Sequence, residues 1–156
     1  MKLFLLFLSI LAILPVYGKE NNVSFTGTLV EPPPCHINDK GNMNVHFDKV
    51  GVNKINGVNY QQSIDYILTC EDTPGWKMAL KLTGEAAVFS DGTIQSNVAG
   101  LGIKVTINEQ PMELNESFVI SAANLPRLKA VPVKDIGAVL NEGPFTASAT
   151  LLAQYQ

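Results

Sequence analysis

The chain has 156 residues, a formal net charge of −3 and two cysteines. Its length allows one domain with a substantial core and is too short for two ordinary domains. Because no basic cluster accompanies the charge, the composition does not indicate nucleic acid or an anionic membrane as a partner.

Residues 1–18 predict an export signal. A lysine precedes the apolar run LFLLFLSILAILPV, which is too short to span a bilayer comfortably, and Val16 and Gly18 are small at the positions that a signal peptidase reads. A membrane anchor or a buried N-terminal helix is the alternative, and the polar stretch beginning at Lys19 disfavours both. We expect the mature chain to start near Lys19.

The stretch NVSFTGTLVEPPPC alternates apolar and polar residues up to the first cysteine. Val23, Phe25, Gly27 and Leu29 form one apolar edge, which predicts a β-strand. The prolines at 32–34 follow and stiffen the chain as an extended spacer. The strand either pairs with another molecule or forms the first strand of the chain's own sandwich, and its sequence leaves both open.

The two cysteines, Cys35 and Cys70, predict a disulfide. In an exported protein an isolated pair most often forms one bridge, with two buried free thiols as the alternative. The bridge would tie the start of the first core strand to the end of a strand over residues 63–70.

The middle of the chain consists of strands and turns. Turn residues recur every dozen positions or so, without a helical stripe between them, which is typical of an all-β sandwich. One of the predicted turns is Ser90-Asp91-Gly92. A further short strand is predicted at residues 86–89, and a loop or single helical turn at 121–125. The main predicted strands cover residues 45–50, 63–70, 76–82, 101–107, 118–120 and 128–133.

The C-terminal stretch GPFTASATLLAQYQ predicts a long strand with one face buried. Every second residue is small or apolar. A chain that ends on such a strand raises the question of what covers its exposed edge. The alternating residues are Phe145, Ala147, Ala149, Leu151, Ala153 and Tyr155.

The sequence contains no recognised catalytic or metal-binding pattern. His36 and His46 have no metal-ligand spacing around them, GxSxG is absent, and the glycines are dispersed among turns. Trp76 could stack on a sugar, although a lone tryptophan opening an alternating strand is more typical of a core position. We therefore predict no catalytic residue, metal, cofactor or small-molecule substrate.

Together these features resemble the pilus subunits of the bacterial chaperone-usher pathway, and the resemblance covers essentially the whole chain. The pattern V-x-F-x-G-x-L before the first cysteine matches the N-terminal donor strand of these pilins, with Gly27 at their usual glycine. Cys35 and Cys70 match their single disulfide. Gly143, fourteenth from the end, and Tyr155, next to last, match the C-terminal hallmarks of the family.

The resemblance implies an incomplete immunoglobulin-like sandwich that lacks its last strand and is completed by a donor strand from a partner. It divides the chain into a signal peptide at 1–18, a donor-strand extension at 19–34 and a pilin domain at 35–156. The implied donor residues are Val23, Phe25, Gly27 and Leu29. The implied residues of the acceptor groove and chaperone-binding strand are Gly143, Phe145, Ala147, Ala149, Leu151, Ala153, Tyr155 and Gln156.

The resemblance also implies partners and a location. A periplasmic pilus chaperone would lend a strand to the groove, and at the outer-membrane usher the N-terminal extension of a neighbouring pilus subunit would replace it. The chain would be exported through the periplasm to the cell surface as part of an adhesive fimbrium.

Other functions remain open at this point. The segment at residues 31–37 looks more like the minor tip and adaptor pilins than the major rod subunit, with a terminating subunit as a third possibility. A different class is a self-contained secreted β-sandwich that binds a carbohydrate or protein, in which residues 23–29 pair within their own sheet. A small periplasmic enzyme would need a polar cleft around His36 or His46.

Overall fold

The computed structural model describes residues 23–31, 34–71 and 77–155. The predicted signal peptide, Lys19, Trp76 and Gln156 lie outside these ranges. The boundary between two structural units falls at Val30 and Glu31. Among the described residues, no helix combines the length and the apolar character needed to cross a membrane.

The described part of the chain is built of β-strands, with short 3-10 turns at Asn38–Lys40 and Val52–Lys54. The all-β prediction is confirmed. The strands are β1 (Cys35–Ile37), β2 (Gln62–Ile64), β3 (Leu68–Cys70), β4 (Met78–Gly84), β5 (Ala86–Ala87), β6 (Ser90–Gln95), β7 (Leu101–Ile107), β8 (Gln110–Pro111), β9 (Ser117–Ile120), β10 (Leu128–Lys134) and β11 (Ala149–Tyr155).

The strands form three open antiparallel sheets. The largest has the order β2-β10-β7-β6-β5, with β8 paired to β7. A second sheet has the order β11-β4-β9, and β1 pairs with β3 in a two-stranded sheet. These sheets have free edges, and one of them is the outer edge of β11.

The hydrophobic core lies between the two larger sheets. Strand β4 buries Leu80 and Leu82, and β7 buries Ile103 and Val105 against them. Successive side chains of a strand point to opposite faces, so this period-2 pattern places one apolar face of each sheet on the core. The half-exposed Lys104 lies on the other face of β7.

The predicted strand at residues 63–70 is two strands. Strand β2 pairs with β10, whereas β3 pairs with β1, so the chain crosses between sheets at residues 65–67. The Tyr66 hydroxyl donates to the Pro126 carbonyl at 2.8 Å and fixes this crossing. Burial raises the pKa of the Tyr66 phenol above its usual value.

The turn predicted at Ser90-Asp91-Gly92 is wrong, because these residues begin β6. The reversal occurs just before them, at residues 88–89. The pairing register between β5 and β6 shifts between Ala86 and Ala87, which marks a bulge. Residues typical of turns are also tolerated at bulges, so composition alone misplaced the reversal.

Candidate functional site

The C-terminal strand β11 is an edge strand. It pairs with β4 along its whole length, from Ala149 opposite Gly84 to Tyr155 opposite Met78. No described residue pairs with its other edge, and β1 lies beside it with Cα atoms within 8 Å but shares no ladder with it. An unpaired edge presents backbone N–H and C=O groups that another strand can bond.

The side chains of β11 alternate as the sequence predicts. Leu151, Ala153 and Tyr155 are half-buried, and Leu151 and Ala153 pack against the core. Leu152, between them, is exposed. The inward face of this open strand is therefore apolar and only partly covered.

The residues before β11 differ in their placement. Phe145 is half-buried against the core, whereas Ala147 and Ala149 are exposed. Gly143 has φ of +154°, a conformation that L side chains rarely adopt. The structure thus places Phe145 with Leu151 and Ala153, and leaves the two alanines at the surface.

Residues 43–50 form no paired strand, so the strand predicted at 45–50 is wrong in this respect. Their side chains still alternate, with Val45 and Phe47 half-buried and His46 exposed between them. The rings of Phe47 and Phe145 approach with centroids 5.9 Å apart at 33°. A strand requires a hydrogen-bonded partner, and this segment has the side-chain pattern of a strand without one.

Two clefts lie near the two ends of the C-terminal segment, one at residues 140–145 and one at Tyr155. The larger, of about 730 Å³, is lined by Phe47, Gly143 and Phe145 among others. The smaller, of about 490 Å³, is lined by Cys70 and Tyr155 together with residues of β4 and β9. We call the open edge of β11, with the half-buried side chains beside it and these two clefts, the acceptor groove, after the role that the sequence resemblance implies.

Polar contacts fix both ends of residues 146–155, which we call the acceptor strand after the role that the resemblance implies. Before β11, the Thr146 N–H donates to Asn97 Oδ1 at 2.7 Å, and the Asn97 N–H donates to the Thr146 carbonyl at 3.0 Å. At the other end, the Tyr155 hydroxyl donates to the Glu71 carbonyl. Alternation along the predicted C-terminal strand does not identify Asn97 or Glu71, since neither residue belongs to that strand.

The predicted disulfide is confirmed. Cys35 and Cys70 are bonded and lie directly opposite each other in the β1–β3 ladder. Cys70 immediately precedes Glu71, so the bridge lies next to the residue that accepts the Tyr155 hydrogen bond. Cys70 also lines the smaller cleft.

The predicted donor residues lie in residues 23–30, which contain no assigned strand. Val23, Phe25 and Leu29 are 72%, 91% and 102% exposed. A Cβ atom added to Gly27 would meet no atom within 4 Å. This segment therefore presents large apolar side chains to solvent, and its glycine has free space around it.

The two histidines are separate from any metal-like cluster. His36 lies in β1, and His46 lies in the unpaired segment between the two 3-10 turns. Within the described ranges, no group of three or more His, Cys, Asp or Glu side chains could hold a metal ion.

Comparison with known proteins relates this arrangement to pilins. A family model described as fimbrial protein matches residues 23–156. The chain is 36% identical over 146 residues to the fimbrial-like protein YfcQ of Escherichia coli K12, covering 90% of each chain. It is also 36% identical over 131 residues to YfcR of the same organism, covering 80% of this chain and 75% of that protein.

Solved structures share the fold. The P pilus rod subunit PapA matches with a TM-score of 0.66 at 23% identity, covering 79% of this chain and 99% of PapA. The P pilus adaptor subunit PapF matches with a TM-score of 0.59 at 20% identity, covering 81% and 98%. The incomplete immunoglobulin-like sandwich that the sequence implies agrees with these structures and with the open sheets. The chain therefore belongs to the fimbrial protein family and is a pilus subunit exported to the cell surface as part of a fimbrium.

Proposed function

We propose that this subunit is assembled by donor-strand complementation, in which its acceptor groove receives an extended strand from a neighbouring pilus subunit. The unpaired edge of β11 carries this proposal. A strand added there would hydrogen-bond the free backbone N–H and C=O groups of β11. Its alternate side chains would pack against the half-buried side chains of Phe47, Phe145 and Leu151.

Residues 19–34 would supply the corresponding strand to another subunit. The described ladders include no residue of 23–30, which supports donation to another molecule. Burial of Val23, Phe25 and Leu29 would contribute about 1.5 to 3 kcal/mol each by side-chain transfer. Completion of a fold would therefore drive polymerisation without a nucleotide.

Before assembly, a periplasmic chaperone would occupy the same groove. Without such a strand, the unpaired edge of β11 and the half-buried apolar side chains of the groove would remain in contact with water, which favours aggregation. The outer-membrane usher would be the place where the chaperone strand is exchanged for the donor strand of the neighbouring subunit. We assign the chain a structural role rather than a catalytic one.

Within the pilus, we propose a minor tip or adaptor position. The segment at residues 31–37 supports this assignment, whereas the solved relatives include both rod and adaptor subunits. Quantitative mass spectrometry of purified pili is expected to find this chain at a small fraction of the abundance of the rod subunit. An abundance equal to that of the main structural subunit would instead assign it to the rod.

The donor segment can be tested separately from the groove. We expect deletion of residues 19–30 to preserve capture by the chaperone and to abolish insertion into a neighbouring groove. Gly27→Val should cause the same selective loss, because a branched side chain would clash where two backbones approach closely. The measurement is co-export with the chaperone, followed by size-exclusion chromatography with an acceptor subunit.

A matched control is Thr28→Val, which introduces valine at the adjacent position, where the side chain points to the opposite side of the strand. This variant should insert normally. Since an added Cβ at Gly27 meets no atom of its own subunit within 4 Å, Gly27→Val should leave the subunit's own stability unchanged. Unfolding of the deletion variant, together with loss of chaperone capture, would show that the segment belongs to its own sandwich.

A further inference from the structure

Two large apolar side chains project from a single turn after β10. Ile136 is 99% exposed and Val139 is 91% exposed. We call residues 135–140 the apolar turn. Large apolar side chains that are exposed close together in one turn are candidates for contact with another protein.

Hydrogen bonds and close packing hold the apolar turn in place. The Asp135 N–H donates to the Gly100 carbonyl at 2.9 Å, and the Ala138 N–H donates to the Asp135 carbonyl at 3.1 Å. Gly137 has φ of +82°, and a Cβ added to Gly100 would lie 2.8 Å from the Ala138 Cβ. The backbone of the turn is therefore fixed, with Ile136 and Val139 held outward.

The apolar turn continues directly into the acceptor groove. Its last residue, Leu140, lines the larger cleft together with Gly143 and Phe145. Val98 and Leu101, which flank the Gly100 that the turn packs against, line the same cleft. The turn thus borders the groove near the start of the acceptor strand.

The geometry of strand addition places a neighbour near this turn. The sheet containing β11 is antiparallel throughout, and a strand added in the same sense would have its C-terminal end beside the start of β11. In the donor chain, only residues 30–34 separate Leu29 from the disulfide-bonded Cys35. Even a fully extended chain of this length would span only about 20 Å, so the body of the donor would lie close to the groove.

We propose that the apolar turn is a contact surface for the body of the neighbouring pilus subunit whose donor strand occupies the groove. This inference rests on the proposed function. The donor strand fills the groove, and the apolar turn adds a second contact, between the bodies of the two subunits. Ile136 and Val139 are buried only when the whole donor subunit is present.

The experiment compares two donors on the same acceptor. One donor is a synthetic peptide of residues 19–34, and the other is a chaperone-bound second copy of the chain. Acceptors are the wild type, the double variant Ile136→Ser/Val139→Ser, and the control Val58→Ser/Val88→Ser, which changes valines that are 72% and 101% exposed elsewhere. Dissociation of each isolated complex is followed in urea.

We expect the Ile136→Ser/Val139→Ser acceptor to hold the peptide as the wild type does and to release the whole subunit about tenfold faster. The control acceptor should match the wild type with both donors. Equal release of the whole subunit from all acceptors would overturn the inference, as would faster release of the peptide from the double variant. If neither donor binds the wild-type groove, the proposed function is overturned and the inference with it.

Discussion

A variant that carries a second copy of residues 19–34 at its C-terminus, after a Gly/Ser-rich linker, is expected to unfold at a urea concentration about 2 M higher than the parent. The appended strand would pair with the free edge of β11, and its apolar side chains would pack against Phe145 and Leu151. Transfer of three such side chains contributes about 5 kcal/mol, and the denaturant slope of a small domain is about 2 kcal/mol/M. A flexible linker lets the appended strand reach the groove of its own chain, so linker length does not limit the stabilisation.

The matched control carries the same linker and segment with valine in place of the glycine that corresponds to Gly27. It should unfold near the midpoint of the parent, because the segment then cannot approach the acceptor backbone. The measurements are urea melts and size-exclusion chromatography without a chaperone. Equal midpoints for all three proteins, with a stable monomeric parent, would show that β11 already has its partner and that the donor-strand proposal is wrong.

Replacement of the disulfide by serines, Cys35→Ser with Cys70→Ser, is expected to lower the free energy of unfolding by about 3 to 4 kcal/mol. The bond closes a loop between residues separated by 35 positions, and its loss gives the unfolded chain more freedom. It also joins β1 to β3, and a sheet of two strands is marginally stable without such support. The largest loss of order should occur near Glu71 and the end of β11.

The self-complemented form is the best background for this test, since it has stability to lose. In that background, the Cys35→Ser/Cys70→Ser variant and the reduced protein with both cysteines should share one urea midpoint, whereas the oxidised protein should unfold at a higher one. Coincident midpoints for the oxidised protein and the serine variant would show that the bond does not stabilise the fold.

The strands that the sequence predicts best are those with continuous apolar alternation. Predicted strands at 76–82, 101–107 and 128–133 correspond to β4, β7 and β10, which supply much of the core. Sequence alternation does not predict strand β6, because its first residues, Ser90-Asp91-Gly92, favour turns. At residues 45–50 the alternation is present but the ladder is not, because pairing depends on a partner strand that composition cannot reveal.

The acceptor groove was predictable only in part. Alternation identified Phe145, Leu151 and Ala153, which pack against the core. It gave no reason to separate them from Ala147 and Ala149, because periodicity does not reveal where along a strand the core ends. The contacts of Asn97 and Glu71 join positions that are far apart in the sequence, at Thr146 and Tyr155, and alternation along one strand does not reveal such partners.

The hydrogen bonds at the two ends of the acceptor strand have a consequence for assembly order. With Thr146 held by Asn97 and Tyr155 held by Glu71, the strand is preorganised before any partner arrives. The entropy lost on binding then falls mainly on the incoming segment, which must become extended and fixed. We therefore expect competing donor sequences, rather than shape changes in this acceptor, to decide which subunit follows it in the fibre.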